Sequence, residues 1–143
     1  MTTTASTIQS LGDYPVVATV VGEFAQKVMD LWAAYTDGKA TQQESMDAMG
    51  ALAADTAAIF KGEHPEYQIV PWRDEAMLTG KIVAWVPGIT AEGDVITRYF
   101  KFLGRQILKG CQEVQDGMAL EQAGPMLKVI LTDAAEKLAG VQP

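Results

Sequence analysis

Apolar positions along this chain recur with the period of a helix face. In the stretch from Asp94 to Asp116, Ile96, Phe100, Leu103, Ile107, Cys111 and Val114 follow one another at spacings of four, three, four, four and three. That spacing puts them on one side of a helix. Four cations, Arg98, Lys101, Arg105 and Lys109, recur at three, four and four. At roughly 100° per residue, their stripe lies nearly opposite the apolar one. This is the best specified element, and the rest of the chain is expected to pack around it. Its interior glycines, Gly104 and Gly110, flank the apolar stripe, where a close neighbour would touch.

An earlier stripe of Val17, Val20, Val21, Phe24, Val28, Leu31 and Tyr35 predicts a helix opened by Asp13 and Pro15 and closed at Asp37-Gly38. Thr41 followed by Glu44 has the pattern of a capping box, predicting a second helix to about Phe60. The short connection between them favours an antiparallel pair. In residues 63–93 the pattern is mixed. Tyr67-Gln68-Ile69-Val70 reads as extended, a helix is expected near 74–79, and the β-branched and aromatic run Lys81 to Val86 reads as extended up to Pro87. Two such pieces would pair as a small two-stranded β element within 67–86. Gly124-Pro125 is expected to separate a turn of helix at 118–123 from a last helix that begins at Pro125 and carries Leu127, Ile130, Leu131, Ala134 and Leu138. The fold class expected is mainly α: a single-domain bundle of about four to five helices over residues 13–140. Residues 1–12, rich in Thr and Ser, form a flexible or partner-docked arm.

Composition narrows the picture. With 48% hydrophobic and 20% charged residues among 143, the chain suits a globular domain and not a disordered one. The net charge of −7 disfavours nucleic acid and anionic lipid as partners. Its distribution is uneven: residues 95–110 hold four bases and no acid, which leaves −11 on everything else. One cysteine, Cys111, excludes an intramolecular disulfide. The opening residues lack a charged n-region and an apolar h-region, and the apolar run 16–21 is too short to span a bilayer. A soluble, cytoplasmic protein without a membrane span is expected.

No residue set nominates itself for catalysis. His64, the single histidine, lies between Glu63 and Glu66 in a polar loop, a setting for general acid–base work but more simply for a solvated side chain. One Cys and one His do not supply a structural zinc site, and Glu63, Glu66, Asp74 and Glu75 do not have EF-hand spacing. Cys111 falls by the apolar stripe as a small core residue. Thr79-Gly80-Lys81 lacks the first Gly and the Ser or Thr of a phosphate-binding loop. No cofactor or metal site is expected. A small enzyme or ligand carrier with a pocket near 63–93, using His64 or nearby carboxylates, is the alternative reading.

The basic stripe carries the leading one. Such a stripe is ordinarily the wet side of an amphipathic helix, yet no acid is interleaved for i to i+4 pairing, and Phe102 sits beside the cations. A single-sign field next to an aromatic has the character of a contact surface. Trp72 and Arg73, types that dominate binding hot spots, are further anchor candidates, although the indoles of Trp72 and Trp85 also suit the core. The expectation is a non-enzymatic interaction or assembly protein. It would bind a protein partner or further copies of itself through Arg98, Lys101, Phe102, Arg105 and Lys109, with Trp72 and Arg73 contributing.

Overall fold

The structure, a computed structural model, describes residues 8–61, 63–64 and 75–140. Five helices account for its regular structure: α1 (Ile8–Thr36), α2 (Gln42–Phe60), α3 (Glu75–Trp85), α4 (Val95–Gln115) and α5 (Leu120–Gly140). No strand occurs among the described residues. Helix α4 packs against each of the other four, and α1 packs additionally on α2 and α5.

Local signals set most of the helix ends. At the end of α1, Gly38 takes φ 75° and the Lys39 amide donates back to the Ala34 carbonyl at 2.9 Å, a turn that side chains with a Cβ resist. The capping box forms as the sequence implies: the Glu44 amide donates to Thr41 Oγ1 at 3.1 Å and the Thr41 amide to Glu44 Oε1 at 2.9 Å. At the close of α4, Gly117 takes φ 116° while the Met118 amide reaches the Glu113 carbonyl at 2.8 Å.

Three expectations need correction. Helix α1 begins at Ile8, so Asp13 and Pro15 lie inside it and not at its start. Residues 81–85 are helical, not extended. Leu78, Ile82 and Val86 are buried at four-residue intervals while Lys81 and Ala84 are exposed, so burial on one helix face overrides β propensity. Pro87 follows that face directly and Gly88 turns the chain with φ 89°. Residues 67–70, the other half of the expected β element, lie outside the described residues. Finally, α5 runs unbroken through Pro125. The proline is the sixth residue of the helix, and the bond it forfeits belongs to the carbonyl of Glu121, in the exposed first turn. Gly124 before it lacks the Cβ against which the proline ring would clash.

The core centres on Phe100. Its ring meets Phe24 of α1 edge-on at 5.4 Å, stacks on Phe60 of α2 at 5.4 Å, and lies 5.4 Å from Tyr99, which leads on to Trp85 of α3 at 6.0 Å. Leu78, Ile82, Ile96, Leu103, Ile107 and Leu138 close around this aromatic chain. The two α4 glycines are points of close approach. A Cβ built on Gly104 would stand 2.9 Å from Met49 Sδ and 3.4 Å from Phe24 Cζ, and one on Gly110 would stand 3.0 Å from Leu127 Cδ2.

Asp94 caps α4 and ties it to α2. Its carboxylate accepts from the Thr97 amide at 3.2 Å, from Thr97 Oγ1 at 2.7 Å and from Lys61 Nζ at 2.8 Å. Partial burial alone would raise its pKa, but the hydrogen bonds from Lys61 and Thr97 outweigh that and hold it below the usual carboxylate range. A depressed folded-state pKa stabilises the fold above the unfolded-state value, and the gain disappears as pH falls through the folded one. Asp94→Ala is therefore expected to cost about 1 kcal/mol at pH 7. In urea unfolding curves the gap from the parent should close below about pH 4.

Candidate functional site

The polar face of α4 runs along a trough whose walls come from the α3–α4 connection and from α5. At its amino-terminal end, Arg98, Lys101, Phe102 and Arg105 border a depression with Val86, Pro87, Gly88 and Ile89. Next to it, Phe102, Tyr99 and Gln106 of α4 face Trp85, Val129, Ile130, Asp133 and Lys137 across a cleft. Farther along, Gln106, Lys109 and Glu113 meet Met118, Met126, Leu127 and Ile130. Val86 and Phe102 line both the first and second depressions, and Gln106 and Ile130 line both the second and third. The three therefore adjoin along α4 as a discontinuous trough, with Arg98, Lys101 and Arg105 at the first and Lys109 at the third, Phe102 and Ile130 between them, and Asp133, Lys137 and Glu113 also among the lining side chains.

Its cations differ in their engagement. The Arg98 guanidinium donates to the Thr90 carbonyl at 2.8 Å, to the Glu92 carbonyl and, at 3.5 Å, to Thr90 Oγ1, which fixes the connection leading into α4. Lys101 is half-buried; its Cε would lie 3.9 Å from a Cβ on Gly50 of α2, so its stem packs along the helix pair while the ammonium carries the charge. Arg105 and Lys109 are exposed. Among the described residues the ion pairs are Lys61–Asp94 and Lys137–Asp133, and neither draws on Lys101, Arg105 or Lys109.

Phe102 is half-buried and packs against the core, so it is a floor residue and not a protruding anchor. The rim is supplied by Val129, 68% exposed, and Met126, 47% exposed. Both escaped the sequence reading, although each falls off the Leu127, Ile130, Leu131, Ala134 and Leu138 stripe, and that misfit was the available signal. Tyr99 is buried beneath the cleft. Burial, with the charge of Asp133 adding to it, raises its phenol pKa far above the ordinary value, so it stays neutral. Lys137 sits 5.9 Å from the centre of the Trp85 ring. Trp72 and Arg73 lie outside the described residues.

The residues considered for chemistry are placed elsewhere. His64 borders a depression between α1 and α2 with Glu23, Lys27 and Asp55. Among the described residues, no three His, Cys, Asp or Glu side chains are grouped to hold a metal ion. Burial pushes the Cys111 thiol up from its usual pKa. This thiol is half-buried against the core, where thiolate chemistry is disfavoured. Among the described residues no helix is long and apolar enough to cross a membrane.

No protein-family model matches the chain, no curated protein matches it in sequence, and no solved structure matches it.

Proposed function

We propose that this is a non-enzymatic assembly protein that associates with further copies of itself, the basic trough along α4 of one copy receiving an acidic face of the next. The observation that carries this reading is the set of cations on α4: Lys101, Arg105 and Lys109, unpaired among the described residues, lie along adjoining depressions that Phe102, Ile130, Met126 and Val129 also line. Clustered charge of one sign beside exposed apolar side chains combines steering with burial on contact.

A second copy offers the complementary surface. Residues 23–60, covering roughly the second half of α1 and all of α2, carry six acids and two bases, a charge of −4 against +4 for residues 95–110. Glu23, Asp30, Asp37, Glu44, Asp47 and Asp55 in that segment are all exposed, and α2 itself contains no base. Two different faces meeting in this way make a head-to-tail contact, which closes into a ring or continues as a filament.

Charge reversal tests the reading without touching the fold. Arg105→Glu with Lys109→Glu alters two exposed side chains that hold no ion pair among the described residues, whereas Arg98 is left alone because it fixes the α3–α4 connection. The double variant is expected to keep the parent's circular dichroism and to associate at least about tenfold more weakly at low salt. Unchanged association in a folded variant would remove α4 as the contact face.

A further inference from the structure

Resting on the self-association described above, we propose that the acidic face received by α4 is the outward face of α2 in the next copy, the two helices lying parallel with Glu44, Asp47 and Asp55 opposite Arg98, Lys101 and Lys109. The spacing of the charges points to this pairing. Along α4, Arg98, Lys101, Arg105 and Lys109 follow one another at three, four and four, and along α2, Glu44, Asp47, Ala51 and Asp55 follow at the same three, four and four. Both rows therefore have the same length, roughly 16 Å at the rise of a helix, and each acid of α2 meets a cation at its own height. Arg105 stands opposite Ala51, whose methyl leaves room for the guanidinium to reach the carboxylates on either side.

The α2 face is free to make the contact. Glu44, Asp47 and Asp55 lie across the helix from the buried stripe of Met49, Ala53, Thr56, Ala57 and Phe60, and they are exposed together with Ala51 and Ala54. Short side chains let a second helix come close, and rows at four-residue spacing such as Asp47, Ala51, Asp55 and Lys101, Arg105, Lys109 are ridges that settle beside one another at a crossing of about 50°. Asp47 accepts from the neutral Gln43 side chain at 2.8 Å, and among the described residues neither Asp47 nor Asp55 belongs to an ion pair. No base interrupts α2, whereas α1 carries Lys27 between Glu23 and Asp30. The antiparallel alternative sets Asp55 on Lys101 and Asp47 on Lys109 but brings Glu44 next to Glu113, where like charges repel, so the parallel arrangement is favoured.

The test compares variants of the full chain by light scattering at low salt, with circular dichroism to follow the fold. Asp47→Lys with Asp55→Lys is expected to associate at least about tenfold more weakly than the parent. Asp30→Lys with Glu136→Lys makes the same change in net charge at exposed positions of α1 and α5, and it is expected to associate as the parent does. Mixed in equal amounts, the α2 variant and the Arg105→Glu, Lys109→Glu variant are expected to recover the parent's assembly mass, since each supplies the face that the other lacks and a misfolded chain would not. The proposal is overturned if the α2 variant associates like the parent, if the α1 and α5 variant weakens as much, or if the mixture of two folded variants stays monomeric. Where Arg105→Glu with Lys109→Glu still weakens association in those cases, self-association through α4 stands and α2 alone is excluded as its acceptor.

Discussion

Phe100→Ala is expected to lower the stability of the fold by about 3–5 kcal/mol, the range for removing a fully buried aromatic. The ring is 0% exposed and contacts three others, Phe24, Phe60 and Tyr99, each with centroids at 5.4 Å. Those neighbours belong to α1, α2 and α4, so a cavity here loosens three helices together, and none of the rigid rings can swing in to fill it. A domain of this kind has about 5–15 kcal/mol in total, so the variant stands near its unfolding threshold at 37 °C. Urea unfolding followed by circular dichroism should show a lower midpoint with an unchanged slope. Phe102→Ala, on the half-buried trough floor, is the comparison and should cost clearly less.

The second large effect falls on Gly104. Alanine there adds a Cβ only 2.9 Å from Met49 Sδ, but the thioether can give way and the helix gains about 1 kcal/mol of propensity, so the net change stays small. Leucine extends toward the Phe24 ring, already 3.4 Å from that Cβ, and overpacking of this kind costs about 1–3 kcal/mol or somewhat more. Gly104→Leu is therefore expected to lose about 3 kcal/mol. Gly22 makes the contrast: a Cβ there meets nothing within 4 Å, so Gly22→Ala should stabilise by up to about 1 kcal/mol. Melting temperatures should rise from Gly104→Leu through Gly104→Ala to Gly22→Ala. A Gly104→Leu variant as stable as the parent would contradict the close approach of α4 to α1 and α2.

What the sequence revealed and what it hid follow from the range of the forces involved. The Thr41–Glu44 box, the Gly38 turn and the α4 stripe are local, decided within a few residues, and they stand in the structure as the pattern implies. Residues 81–85 misled because Ile82, Val83 and Trp85 carry strand propensity, whereas the deciding fact is that Leu78, Ile82 and Val86 share a face against the core. Pro125 misled because its penalty depends on position, and near an exposed helix start it forfeits little. The centrality of α4 was legible from its two opposed stripes. The trough was not, since its rim residues Met126 and Val129 come from α5 and only the packing of α5 on α4 sets them beside Phe102 and Lys109.

On the function proposed above, the basic face of α4 holds copies of the chain together through charge. The most direct measurement is the mass of the native assembly by light scattering, from about 50 mM to about 500 mM salt, across which the screening length falls from well over the contact distance to a few ångströms. The expected result is a species of at least twice the 15.4 kDa chain mass at low salt that dissociates toward the monomer as salt rises. A protein that stays at 15.4 kDa throughout the series, at high-micromolar concentration, would contradict the claim.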